Sequence, residues 1–250
     1  MAGALGEVVR VAEADPELLR GVAGDAAIRL RRSLIAGVIH VDRRDAPPTD
    51  LLPPHVFGML VLDGVLTRRV RLGARASVEL LGPSDVLRPW QDGHELATLP
   101  ALVDWRVVEP VRLAVLDGEF VTACARHPSI LAELMARSVQ RSDALADRLM
   151  IAQIPRLDAR LVALLWHLAD RWGRREHGRV RIALRLGHET IAALACAQRP
   201  SVSVALRNLS LAGRIARRSD GGWDLLGPPA DERELRTAAP IAVEPLAVMA

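Results

Sequence analysis

Lysine is absent from this chain, and all 33 basic residues are arginine. The absence removes the amine that Schiff-base and Ser–Lys chemistry require. Only two cysteines are present, Cys124 and Cys196, far apart in sequence. That excludes a disulfide framework and any four-thiolate zinc or iron–sulfur site built within one chain. No GxSxG and no Gly-rich phosphate loop occurs. His188-Glu189 opens like a zinc-protease HExxH, but Ala192 stands where the second ligand belongs. No apolar run approaches the ~18 residues that span a bilayer. The first residues, MAGALGEVVRVAEADPELL, carry acids where a signal peptide needs a basic start and an apolar block. The expectation is a cytoplasmic, non-enzymatic protein with no cofactor, no metal and no membrane partner.

What is present is unevenly distributed. The 250 residues are 50% hydrophobic and 25% charged, enough for two modest domains with their own cores. Residues 1–150 carry 18 Arg against 20 acids, and residues 226–250 carry 2 against 4. Residues 151–225 carry 13 Arg against 6 acids, a net of +7. A basic segment on a near-neutral body points to a polyanionic partner, with a solvated basic face as the plain alternative.

Local patterning orders the chain. Leu18, Leu19, Val22, Ile28 and Leu30 fit a helix or helix pair over 15–36. The prolines of DAPPTDLLPP make 45–54 a loop or extended segment. In VFGMLVLDGVLTRRVRLG, Asp63-Gly64 predicts a hairpin turn between two strands. VELLGPSDVLRPW predicts strand, Gly-Pro turn and short strand, and ALVDWRVVEPVRLAVLD predicts two strands joined at Glu109-Pro110. Short strands at this spacing predict an antiparallel sandwich or barrel over roughly 38–117.

A short helix at 117–126 and a break at His127-Pro128 follow, then a helix over about 129–153 without Gly or Pro. One heptad frame aligns Leu131, Met135, Ser138, Ser142, Leu145, Leu149 and Ala152, a seam suited to a two-helix dimer contact or to packing on the chain's own β-module. Ile154-Pro155 ends it. Leu157, Leu161, Leu164, Leu165, Leu168 and Trp172 form another helical stripe, stopped at Gly173, and VRIALRL alternates as a short strand.

Residues 187–226, GHETIAALACAQRPSVSVALRNLSLAGRIARRSDGGWDLL, read as helices at about 188–195 and 199–210, then a basic hairpin. Ile191, Leu194, Val202, Leu206 and Leu209 can share one core, leaving Arg199, Ser201, Ser203, Arg207 and Asn208 outward. Pro200 suits the first turn of the second helix. Arg199 and Ser201 then cluster at its N-terminus, where free N–H groups favour a phosphate. Arg217 and Arg218 flank a Ser-Asp-Gly-Gly tip that can rest on a sugar-phosphate backbone. A compact helical head with a polar outer helix is how a protein enters the major groove.

At these residues the chain resembles the Crp/Fnr transcription regulators. Residues 187–225 are similar to that family's winged helix-turn-helix, and GMLVLDGVLTRRVRLGARASVELLGPSDVLRPW to its cyclic-nucleotide-binding-type β-roll. The likeness spans roughly 30–226 in the family's order. It implies an α+β fold: an N-terminal antiparallel β-roll of the double-stranded β-helix or jelly-roll type, a long dimerisation helix and a C-terminal winged helix-turn-helix. The corresponding boundaries are 1–122, 123–154, 155–226 and a mobile tail at 227–250. It implies double-stranded DNA as partner, a homodimer with recognition helices ~34 Å apart, a small-molecule effector and a contact with RNA polymerase. Leu131, Met135, Leu145 and Leu149 are the expected dimer positions. Arg199 matches a position that commonly contacts DNA, and Ser201 one that binds phosphate. Ser203 matches a small residue.

The sequence departs from the family pattern at Val204, where many members carry a base-reading Arg, at Cys196, often Gly, and at Pro200, often Glu. No Arg-Ser or Arg-Thr phosphate pair occurs in GPSDVLRPWQDGHELATL, so the effector is expected not to be cyclic AMP. Leu80, Arg88 and Trp90 are the candidate pocket residues there, with an exposed Arg beside a core Trp as the plain alternative. The iron–sulfur form of the family needs a cysteine cluster that is absent, and none of the seven histidines is assignable as a haem ligand. The rival function is a β-roll dimer scaffold whose degenerate helical head, marked by Val204 and Cys196, binds a protein.

Overall fold

Met, Leu and Val dominate residues 58–66, and their side chains alternate between two cores. Met59 and Val61 face one core and Leu60 the other, the period-two signature of a strand buried on both sides. The computed structural model describes residues 7–43, 45–47, 52, 56–91 and 98–236. The chain divides into two compact units, Met1–Leu145 and Ala146–Ala250.

The first unit contains β1 (Glu7–Arg10), α1 (Val11–Ala14), a 3-10 turn at Pro16–Leu19 and α2 (Gly24–Ser33). These lead into β2 (Ile35–Val41), β3 (Gly58–Leu72), β4 (Arg75–Leu81), β5 (Val86–Leu87) and β6 (Leu102–Leu116). After them come α3 (Gly118–Ala125) and the start of α4 (Pro128–Ala152). The strands form the expected antiparallel β-roll, in the order β1-β2-β6-β3-β4 with β5 beside β3. One core fills the roll around Met59, Leu66, Leu81, Leu87 and Leu113. The other packs Leu18, Leu30, Leu60, Phe120, Ile130 and Leu134 between the sheet and the helices.

Two expected chain breaks are absent. Asp63-Gly64 is not a hairpin turn, and Glu109-Pro110 does not separate two strands; both lie inside continuous fifteen-residue strands, β3 and β6. The pairing register shifts between Val61 and Leu66, opposite Pro110. Gly64 has φ +84°, and a Cβ there would lie 2.0 Å from the Pro110 carbonyl oxygen. A left-handed glycine serves a β-bulge as well as a turn, and proline is tolerated where the ladder is already broken. The hairpin turn falls at Gly73-Ala74 instead, between the paired Leu72 and Arg75. β1 and α1 are too short to carry a periodic signal in the sequence.

Along α4, Ile130 and Leu134 are buried in the first unit's core and Leu131 packs half-buried against it. Arg137 forms a buried two-bonded pair with Asp15, its second contact 3.1 Å. Arg141 pairs likewise with Glu79, one contact being 2.8 Å. Leu131 therefore serves the unit's own core. Met135, Val139, Leu145, Leu149 and Met150 are exposed.

The second unit begins within α4. It continues with α5 (Leu157–Trp172), β7 (Gly173–Glu176), β8 (Arg179–Ile182), α6 (His188–Leu194), α7 (Arg199–Leu211), β9 (Ile215–Arg217) and β10 (Trp223–Leu225). Leu161, Leu165, Leu168, Ile191, Leu194, Val202, Leu206, Leu209 and Trp223 are buried. α5 ends at an extended Gly173, where a Cβ would meet the Ala169 carbonyl oxygen at 2.3 Å. The four strands order as β7-β8-β10-β9. The segment expected to be a mobile tail begins with α8 (Glu232–Arg236), which packs on α5. Arg214 pairs with Glu234 at 2.8 Å, and the Asp231 carboxylate accepts from the Glu234 N–H. Residues 237–250 lie outside the described residues.

Candidate nucleic-acid interface

A tight turn sets the second helix of the pair. Cys196, exposed, adopts φ +50° between α6 and α7. The Ala197 N–H donates to the Ala192 carbonyl at 2.9 Å, closing the end of α6. Left-handed backbone is favoured by glycine, so an ordinary side chain here carries strain of roughly 1–2 kcal/mol. Pro200 sits in the first turn of α7, where its missing N–H loses no helical hydrogen bond.

Val202, Leu206 and Leu209 form the buried ridge of α7. Ser201, Val204, Arg207 and Asn208 are exposed on the opposite side, and Arg199 is exposed as the first residue of the helix. Neither Arg199 nor Arg207 has an ion pair or hydrogen bond among the described residues. Each presents a full positive charge to solvent. Ser203 is half-buried and makes a 2.9 Å hydrogen bond with His188 Nδ1. That bond ties α7 to the first turn of α6 and turns the hydroxyl away from the exposed face.

The arginines of the hairpin are engaged internally. Arg217 donates to the Leu186 carbonyl at 2.7 Å, and its guanidinium lies 4.5 Å above the Trp223 ring. Burial lowers its pKa from the usual arginine value. Arg218 pairs with Asp220 at 3.1 Å and Asp224 at 3.2 Å. The hydrogen bond to Asp220 is the main cause of its raised pKa. Asp220 is held below the usual carboxylate range first by the Gly222 N–H and then, against a burial penalty, by Arg218. Arg179 and Arg181 meet the same two carboxylates. The hairpin is thus a cross-linked structure whose positive charge is largely matched. Arg174, Arg175 and Arg185 have no such partner among the described residues. No motif marks these three in the sequence, because they lie in strand and loop segments.

Two of the candidate effector residues of the roll, Arg88 and Trp90, meet. Leu80 is buried in β4, while Arg88 is exposed and stacks 5.8 Å from the centre of the half-buried Trp90. Residues 92–97, the rest of that stretch, lie outside the described residues. An open groove lies elsewhere in this unit, between α2 and α3, lined in part by Arg29, Arg32, Thr122, Arg126 and His127. Among the described residues no cluster of three metal-binding side chains occurs, and no helix is long and apolar enough to cross a membrane.

The arrangement defines a class: a β-roll and a long helix followed by a winged helix-turn-helix head. Residues 159–230 match the family model of the Crp-like helix-turn-helix domain. Most of the chain shares the fold of several solved structures. FixK2 from Bradyrhizobium japonicum is 18% identical, with a TM-score of 0.58 over 82% of this chain and 98% of that one. A doubly substituted mutant of CooA from Carboxydothermus hydrogenoformans is 14% identical, with a TM-score of 0.60 over 84% and 90%. A cyclic nucleotide-binding domain containing protein from Listeria monocytogenes EGD-e is 13% identical, with a TM-score of 0.61 over 76% and 88%. No curated protein matches the chain significantly in sequence. The fold is the one these solved structures share.

Proposed function

We propose that this protein is a homodimeric, sequence-specific DNA-binding transcription regulator of the Crp/Fnr type. The observation that carries the reading is α7: its apolar ridge is buried in a Crp-like head, and Arg199 at its N-terminus and Arg207 on its outer side stand exposed and unpaired. Free arginines beside a helix N-terminus bind phosphate and base edges. Arg199, Ser201, Arg207 and Asn208 are the residues that would touch DNA. Ser203, Arg217 and Arg218 support that surface through their internal bonds. The protein acts in the cytoplasm, without catalysis, and contacts RNA polymerase. Any small effector is other than cyclic AMP, because the roll sequence lacks the Arg-Ser or Arg-Thr pair for its phosphate.

Dimerisation falls to the exposed apolar side chains of α4, Met135, Val139, Leu145 and Leu149. The test is fluorescence anisotropy of the full chain on duplex DNA from a random-pool selection, across a salt series. Log affinity should fall steeply with log salt, by about 0.9 for each phosphate neutralised. Arg199→Ala should weaken specific binding about tenfold or more and flatten that slope by about one per half-site. Weak binding with no steep slope would reject the regulator in favour of a scaffold whose head holds a protein.

A further inference from the structure

Val204 is 61% exposed, and it lies on the side of α7 directly opposite the buried ridge. At about 100° per residue, Pro200 and Arg207 flank it on one side and Ser201 and Asn208 on the other, all within about 60°. An exposed valine by itself is ordinary. This one occupies the centre line of the outer face, bracketed by the polar side chains of Ser201, Arg207 and Asn208 and by Pro200. Ser203, one residue earlier, is bonded to His188 and does not compete for the same space. Leu211 is also exposed, but it lies in the last turn, whereas a recognition helix reads bases with its N-terminal residues.

Resting on the DNA-binding reading above, we infer that Val204 reads a thymine in each half-site through that base's C5-methyl group. A valine cannot donate or accept a hydrogen bond. In the major groove the one apolar feature that distinguishes a base is the thymine methyl. Burying it against two valine methyls is favourable, whereas a cytosine or adenine amino group placed there loses water without gaining a partner. Arg199 precedes this contact and Arg207 follows it along the helix axis, and both position the helix. The preferred site therefore contains one thymine whose identity is read without hydrogen bonds.

The test uses the full chain and the duplex selected from a random pool. Each thymidine of one half-site is replaced in turn by deoxyuridine, which removes only the methyl. Wild-type protein should lose about fourfold in affinity at one position. Val204→Ala should bind the thymidine and deoxyuridine duplexes equally at that position while keeping the parent's salt slope. Because Val204 is exposed, the variant should unfold at the parent's temperature, which confirms that the fold is intact. If no position responds to deoxyuridine, or if Val204→Ala keeps the full response, the inference is overturned although DNA binding stands. If the wild type selects no sequence and shows no salt-dependent binding, the DNA reading itself fails and this assignment with it.

Discussion

Cys124 and Cys196 occupy opposite environments. Burial pushes the Cys124 thiol up to about 11, so almost none of it is thiolate at neutral pH. Cys196 is exposed at the turn between α6 and α7. A maleimide at pH 7 should therefore modify one thiol per folded chain, at Cys196. Mass mapping would show both labelled only after unfolding; rapid labelling of Cys124 in the folded protein would contradict its burial. The arginines divide in the same way. Arg199 and Arg207 remain available to an anion, whereas Arg217 and Arg218 are held by a carbonyl, an aromatic ring and carboxylates. Sequence spacing identified all four as basic and near the head. It carried no information on which guanidinium finds a partner, because those partners depend on the folded surface.

Among the secondary-structure elements, the bulge in β3 and the half-buried histidine of α5 give the clearest tests. Gly64 combines a positive φ with backbone 2.0 Å from any Cβ. Gly64→Ala should destabilise the protein by about 2–3 kcal/mol in chemical denaturation. A neutral effect would show that the β3–β6 kink has room to relax. Burial lowers the pKa of His167 from the usual 6.5; Asp147 and Asp170 oppose the shift and Arg148 reinforces it. Below pH about 6.5 the unfolded chain protonates first, so stability present above that pH is lost as pH falls through the folded value. Thermal unfolding between pH 7 and 5 should show this decline, and His167→Gln should remove part of it. The lowered carboxylates Glu7, Asp158, Asp220 and Glu234 act in a separate, more acidic window, below their ordinary 3.8–4.5. Their contribution is present above that window and disappears as pH falls through it.

For the whole molecule, assembly is the property most open to test. Val139 and Leu149 are exposed on α4, and the first unit's own core takes Ile130, Leu131 and Leu134 from the same helix. Sedimentation of the intact chain should give a dimer. Val139→Asp combined with Leu149→Asp should shift it to monomer at micromolar concentration without lowering its unfolding temperature as a core change would. A dimer that persists would place the contact elsewhere. DNA affinity of the double variant should fall sharply, since two linked heads bind far more tightly than one.

The sequence by itself determined the order of the elements, the basic head and the apolar ridge of α7, because periodicity, turn chemistry and charge are local properties. It also pointed to the β-roll, through alternating strands and turn residues, although β6 pairs with β2 and β3, both distant in the chain. Only the tertiary structure decided that Asp63-Gly64 is a bulge, since the choice rests on Pro110 across the sheet. Tertiary contacts also turned Ser203 toward His188, enclosed the hairpin arginines and left Val204 at the centre of the outer face. The bulge, the Ser203–His188 bond and the Arg217–Leu186 contact each depend on a residue distant in the chain, and that partner becomes a neighbour only when the core closes.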